Sequence, residues 1–183
     1  MILINYFSEF IARWLTNNYK DEMPSYQKTR YSIKLIITNL LPLLLIFGYG
    51  LYSDTLIKCL ICLLSFSILR QFSGGFHLKN ADICIVASTL LILSITEISV
   101  YVNDSLSIVF NIISFLLCLI FSPSKINNST RIRKENFHIF KIISLILIIF
   151  SLILKNPTVT LAMFMQALTL IHIPAKEVIV NEE

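Results

Sequence analysis

The segment Leu35–Tyr52 reads LIITNLLPLLLIFGYGLY and contains no charged side chain. A helix needs about 20 mostly apolar residues to cross the hydrocarbon core of a bilayer, so this segment predicts a transmembrane helix. Similar apolar stretches follow it almost to the end of the chain, and 56% of the 183 residues are hydrophobic while only 14% are charged. This balance differs strongly from that of a soluble domain and predicts an integral membrane protein.

Six segments approach the length of a membrane span, and short polar breaks separate them. They lie at Leu35–Tyr52, Thr55–Leu69, Ile83–Tyr101, Ser105–Phe121, Ile139–Leu154 and Thr158–Ile173. The second, fifth and sixth are short, so we expect them to be tilted, re-entrant or sheltered by neighbouring helices. The sequence therefore predicts an all-α, polytopic membrane protein with about six transmembrane helices, forming one membrane-embedded domain over residues 1–183.

Lysine and arginine are unevenly distributed along the chain, and cytoplasmic loops normally carry an excess of both. If the N-terminus is cytoplasmic, 13 of the 15 basic residues fall on the cytoplasmic side, and only Lys58 and Lys155 fall outside. Six spans then place both termini in the cytoplasm of a cell-membrane protein. Because the basic residues follow this topology and form no stripe with interleaved aromatic residues, we expect no nucleic-acid partner.

Residues 1–30 precede the spans and combine a short amphipathic segment with a basic linker. Apolar residues recur there at helical spacing, at Leu3, Phe7, Phe10, Ile11 and Trp14. Tryptophan is frequent at membrane interfaces, so we predict an interfacial helix that lies on the lipids of the inner leaflet. A helix packed on a partner subunit is the alternative.

Residues 70–84, between the second and third spans, read RQFSGGFHLKNADIC. Gly74 and Gly75 are two of only four glycines in the chain, which indicates that the backbone turns here or closely approaches another group. Asn80 is a suitable N-cap, so the third spanning helix is predicted to begin directly after it. Cys84 then lies about one turn inside that helix.

Cys84 and His77 could act together as a nucleophile and a base. Partial positive charge at a helix N-terminus favours the thiolate, which is the reactive form of cysteine. On one unbroken helix the two residues would be about 10 Å apart along the axis, too far for a hydrogen bond. A glycine break would let the loop fold back, so that the imidazole accepts the thiol proton, and we predict a cysteine–histidine dyad.

Each of these residues also has a simpler interpretation. Cys84 could be a small apolar filler, and His77 could meet only water or lipid headgroups. Arg70 could anchor a helix end to headgroup phosphates, or it could bind a substrate carboxylate.

Other polar residues in the spans are less specific. Cys59 and Cys62 have the spacing of half a metal site, but no second pair accompanies them, so core packing is predicted and no metal is expected. Glu97 is thirteen residues after Cys84, which predicts a different helix face near the outer membrane surface. Three amides could hydrogen-bond between helices or line a groove for a peptide: Asn39, Asn111 and Gln166.

The string Arg70-x-x-Ser-Gly-Gly-x-His77, followed by Cys84, resembles the signature of the accessory gene regulator B family (AgrB), the membrane cysteine endopeptidases of Gram-positive peptide quorum sensing. The amphipathic start, the six-span hydropathy, Phe121-Ser122-Pro123 and Gln166-Ala-Leu-Thr extend the resemblance over nearly the whole chain. Ser73 stands where a small alanine is expected. The loop after Pro123 also lacks the aspartate and the Asn-Lys-Pro run that many relatives have.

The resemblance implies a defined reaction, in which the enzyme removes the C-terminal tail of a propeptide of the AgrD type. The body of the peptide stays on the cysteine as a thioester and is then cyclised to a thiolactone or lactone. Cys84 is implied as the nucleophile and His77 as the base. The supporting positions are Arg70, Ser73, Gly74 and Gly75. The resemblance implies no cofactor. It implies that the protein forms a homodimer.

Two other classes of protein fit the same hydropathy. A non-enzymatic peptide transporter or chaperone would bind peptide at the loop, with Cys84 merely buried. A purely structural small membrane protein would make no use of Arg70, the two glycines and His77 occurring together.

Overall fold

The computed structural model describes residues 3–20, 24–75, 81–123 and 137–171, and these ranges are almost entirely helical. Their α-helices are α1 (Leu3–Asn18), α2 (Tyr26–Tyr52), α3 (Leu56–Ser73), α4 (Ala81–Ile98), α5 (Asp104–Phe121), α6 (Phe137–Leu154) and α7 (Pro157–Leu168). A short 3₁₀ helix, Ser99–Tyr101, follows α4. The predicted all-α fold is confirmed.

Five of these helices, α2 to α6, are long and apolar enough to cross a membrane. The sixth predicted span corresponds to α7, which has 12 residues and is about 18 Å long, shorter than a bilayer core of about 30 Å. Two helices extend beyond the predicted spans: α2 begins at Tyr26, before the span predicted from Leu35, and α3 continues past Leu69 to Ser73. Arg70 therefore belongs to the last turn of a helix. The side of the membrane on which each end lies stays a prediction.

The short helix α7 lies at the centre of the bundle, in contact with α3, α4, α5 and α6. Asn156 caps its N-terminus, because the side-chain Oδ1 accepts hydrogen bonds from the backbone N–H groups of Thr158 (3.0 Å) and Val159 (3.4 Å). Most of the helix is buried. Shelter by other helices, which the sequence analysis offered as one explanation for short spans, is therefore confirmed for α7.

Two clusters of buried apolar side chains hold the bundle together. One contains Cys59 and Cys62 with residues of α2, α4 and α7, and the other contains Cys118 with residues of α3, α6 and α7. These three cysteines are wholly buried and carry free thiols, and the core packing predicted for Cys59 and Cys62 is confirmed. Within the described ranges, no group of three or more His, Cys, Asp or Glu residues is placed to hold a metal ion.

The N-terminal helix α1 packs mainly on α2. Its buried face consists of Ile4, Ser8 and Ala12, one residue per helical turn, whereas Phe10 and Trp14 remain exposed. An ion pair between Glu9 and Arg30 also joins α1 to α2. The predicted helix is confirmed, and its small-residue face makes the contact while aromatic side chains point outward. Its placement on lipid stays a prediction.

Candidate active site

The third helix ends in a turn built from two glycines. The N–H of Gly74 donates a hydrogen bond to the carbonyl oxygen of Arg70 (3.0 Å), and the helix ends at Ser73. Gly74 then has φ of 76° and Gly75 has φ of 135°. These backbone conformations strongly favour glycine, because a Cβ atom would be strained there. The chain therefore leaves α3 at the two glycines, as the sequence predicts.

The side chain of Gln166, near the C-terminal end of α7, contacts the glycine turn directly. Its Nε2 donates a hydrogen bond of 2.8 Å to the carbonyl oxygen of Gly74 and one of 3.3 Å to the hydroxyl of Ser73. Gln166 and Ser73 are both wholly buried. A side chain of α7 thus contacts the backbone that immediately precedes residues 76–80.

Gly75 also approaches α7 very closely. A Cβ atom added to this residue would lie 2.8 Å from Oγ1 of Thr169 and 3.3 Å from Nε2 of Gln166, and real Cβ atoms essentially never show the first distance. The Thr169 hydroxyl in turn donates to the carbonyl oxygen of Gln166 (2.7 Å). Gly75 is therefore required both by its backbone conformation and by the close contact with α7.

The fourth helix begins at Ala81, and Cys84 is its fourth residue. This placement agrees with the predicted position about one turn into the helix. The thiol is half-buried, unlike those of the other three cysteines, which are wholly buried. The predicted cap Asn80 and the predicted base His77 lie outside the described residues, so the cysteine–histidine dyad stays a prediction.

Cys84 opens onto a groove of about 320 Å³, which we call the Cys84 groove. Its lining comes from α3, α4 and the residues that directly follow α7: Phe66, Arg70, Cys84, Ala87, Ser88, Leu91, Thr169 and Ile171. Four of these side chains are purely apolar. A thiol in such a groove is reachable by a peptide and partly sheltered from water, which suits acyl transfer.

Arg70 places a positive charge in the same groove. Its guanidinium carbon lies 5.9 Å from the ring centre of Phe66, close enough for a cation–π contact, and the guanidinium interacts electrostatically with Cys84. The predicted site residues Arg70 and Cys84 are thus brought together, with Ser73, Gly74 and Gly75 one turn further along the chain.

The contacts of Gln166 and Thr169 with the glycine turn were not predicted. Both residues belong to the string Gln166-Ala-Leu-Thr that extends the family resemblance, and Gln166 was also one of three amides expected between helices or along a groove. An amide within an apolar segment is the signal that marks Gln166, because such a group must find a partner. Asn39 shows that the signal is not specific, since its Nδ2 donates to the carbonyl oxygen of Leu35 on its own helix (2.7 Å).

Glu97 lies at the opposite end of α4 from Cys84, about 20 Å along the helix axis. Its Oε1 accepts a hydrogen bond from the hydroxyl of Tyr49 (2.8 Å). We call the two ends of the bundle the Cys84 end and the Glu97 end. The prediction that Glu97 lies apart from Cys84 is confirmed.

The fold and the groove define a class of protein: a helical membrane protein that presents one partly accessible thiol, beside an arginine, at one end of its bundle. A model of the family described as Accessory gene regulator B matches residues 8–173 of the chain. The chain therefore belongs to the accessory gene regulator B family.

Curated relatives agree with this assignment over most of their length. Accessory gene regulator protein B of Staphylococcus haemolyticus is 23% identical over 158 residues, which cover 81% of this chain and 83% of that protein. Accessory gene regulator protein B of Staphylococcus aureus strain MW2 is 24% identical over 182 residues, which cover 93% of this chain and 97% of that protein. No solved structure matches the chain.

Proposed function

We propose that this protein is a membrane cysteine endopeptidase that removes the C-terminal tail of a quorum-sensing propeptide and cyclises the remainder. The substrate is a propeptide of the AgrD type, and the product is a thiolactone or lactone precursor of an autoinducing peptide. The enzyme acts as a homodimer in the cell membrane, with Cys84 and His77 facing the cytoplasm.

The observation that carries the proposal is the placement of Cys84. Its half-buried thiol lies in the first turns of α4 and shares a groove with Arg70, next to the glycine turn that precedes His77 in the chain. A helix N-terminus and a nearby cation are typical surroundings of reactive cysteines. The other three cysteines are buried in the core and are not candidates for the nucleophile.

The proposed reaction has two acyl transfers. The Cys84 sulfur attacks the carbonyl carbon of the scissile peptide bond while His77 takes the thiol proton and passes it to the leaving amine, which departs with the tail. The peptide body stays on Cys84 as a thioester. A thiol or hydroxyl of that peptide then attacks the thioester carbonyl, closes the ring and releases Cys84 as a free thiol.

The Cys84 groove accounts for how water is kept from the thioester. Hydrolysis would lose the acyl activation that ring closure needs, so the intermediate has to be sheltered. Phe66, Leu91 and Ile171 give the groove apolar walls that an apolar side chain of the peptide next to the scissile bond would cover. We expect Arg70 to support the site through its positive charge.

The direct test is to replace Cys84 in cells that also express the propeptide. Cys84→Ala should abolish cleavage, and mass spectrometry of the unsubstituted enzyme with a propeptide that lacks its ring-forming residue should show a thioester on Cys84. Cys118→Ala is the matched control, because that thiol is buried in the core and cleavage should persist. Undiminished cleavage by Cys84→Ala would exclude the peptidase and leave a peptide transporter or chaperone.

A further inference from the structure

The buried amide of Gln166 interacts with the backbone that leads into the candidate site. In the described part of the chain its hydrogen bonds go to Gly74 and Ser73 alone, and its Oε1 has no partner there. Burying an amide in apolar surroundings costs free energy that a leucine or methionine would not cost. The hydrogen bonds to Gly74 and Ser73 therefore explain why a polar side chain is buried at Gln166.

Three contacts restrict this turn. Gln166 holds the Gly74 carbonyl, the Arg70 carbonyl holds the Gly74 N–H, and Thr169 leaves no room for a side chain at Gly75. Both glycines have positive φ, and glycine can adopt many backbone conformations. Without these three contacts the turn could therefore adopt other conformations. The backbone at the point where the chain leaves α3 is therefore restrained by Gln166 of α7 and by Thr169, which directly follows α7.

We infer that Gln166 is a positioning residue, which fixes the backbone of Gly74 and Gly75, and that the proposed action on Cys84 of His77, two residues after Gly75 in the chain, depends on this turn. This inference rests on the proposed function, because it needs His77 to act on Cys84. Gln166 itself does not line the Cys84 groove, so its effect on the reaction is transmitted through the turn. Of the described residues that line the groove, Arg70 and Cys84 are the titratable ones.

The test follows the alkylation of Cys84 by iodoacetamide as a function of pH, measured by mass spectrometry on the full-length protein in detergent. This measurement needs no propeptide. His77→Ala should slow alkylation near pH 7 by about tenfold and move the profile to higher pH, because the base is lost. Gln166→Met, which preserves the side-chain length without hydrogen bonds, should move the profile in the same direction.

A double variant separates positioning from general damage. If Gln166 acts through His77, the variant with both His77→Ala and Gln166→Met should have the same profile as His77→Ala alone. Gly75→Ala should give the same shift as Gln166→Met, because its Cβ would lie too close to Thr169 and Gln166 and would displace the turn from them. Gly75→Ala thus provides a second route if Gln166→Met does not fold.

Asn111→Leu is the matched control. Asn111 is also a buried amide that contacts α7, with Nδ2 3.2 Å from Oγ1 of Thr160, but it lies toward the Glu97 end. Its loss should leave the alkylation profile unchanged. If Gln166→Met and Gly75→Ala also leave the profile unchanged, the positioning role is excluded. If His77→Ala itself equals the unsubstituted protein, the dyad is absent, and the proposed function fails together with the inference.

Discussion

At its C-terminal end α7 holds a backbone turn through Gln166, whereas near its N-terminal end it holds another helix through Thr160. The first contact joins an amide to a carbonyl of a glycine turn (2.8 Å), and the second joins the amide of Asn111 to a hydroxyl (3.2 Å). Both amides are buried, with 0% of Gln166 and 2% of Asn111 exposed. The same kind of hydrogen bond thus restrains a loop at one end and a helix pair at the other.

The spaces next to these contacts differ as well. The Cys84 groove has about 320 Å³, and four of its eight lining residues have purely apolar side chains. The space near the Glu97 end, which we call the Asn111 cavity, has about 170 Å³. Its eight lining residues, six of them polar or charged, are Asp104, Ser107, Ile108, Asn111, Ser151, Leu152, Lys155 and Thr160. Of these two spaces, the Cys84 groove is the one lined by a thiol, with the guanidinium of Arg70 in the same lining. Buried polar groups alone therefore do not identify the site in this bundle.

The largest difference in propeptide cleavage is expected when each of the two spaces is filled with a larger side chain. Ala87 lines the Cys84 groove and is exposed, so Ala87→Phe can place a ring beside Cys84 without overpacking the core. We expect propeptide cleavage to fall about 100-fold, because the peptide can no longer align with the thiol. Initial cleavage rates in membrane vesicles measure the effect. Ser107→Phe fills the Asn111 cavity instead and should leave cleavage within about twofold; an equal loss in both variants would contradict the distinction.

The next effect concerns the contribution of Asn111, which lies toward the Glu97 end, to stability. Asn111→Leu removes the hydrogen bond to Thr160. The hydroxyl of Thr160 can still pair with the hydroxyl of Ser151, because the two oxygens are 3.4 Å apart. We expect the free energy of unfolding to fall by about 1 kcal/mol, the usual size of a hydrogen bond between membrane helices. Thermal melting in detergent measures this, and cleavage per folded molecule should not change. Reduced cleavage at unchanged stability would show that the two ends are coupled.

The smallest effect is expected at Glu97. Glu97→Gln removes the charge but keeps a carbonyl oxygen that can accept the hydrogen bond from the Tyr49 hydroxyl. In the unsubstituted protein this hydroxyl lies 2.8 Å from Oε1 of Glu97. Stability should change by less than about 0.5 kcal/mol, as for most exposed substitutions, and cleavage should not change. Tyr49→Phe provides the comparison, because it removes the hydrogen bond itself. A large loss of cleavage in Glu97→Gln would assign the Glu97 end a role in the reaction.

Several features of the Cys84 end could be predicted because they depend on local chemistry. Two adjacent glycines indicate a turn, and the start of α4 a few residues later places Cys84 near a helix N-terminus. The same local rules located α1 and the apolar helices. Boundaries were less accurate, since α2 extends to Tyr26 across polar residues that hydropathy excludes from a span. His77 and the loop after Pro123 lie outside the described residues.

The sequence by itself determined that this is a helical membrane protein. It also determined where turns interrupt the helices and which family the motif resembles. Hydropathy, turn residues and motif spacing are properties of short segments. Only the tertiary structure decided that α7 is central and that Gln166 supports a turn 92 positions away in the chain. It also decided that Thr169 and Ile171 complete the Cys84 groove. Contacts between helices depend on how closely small side chains let them pack, and no local period in the sequence specifies that distance.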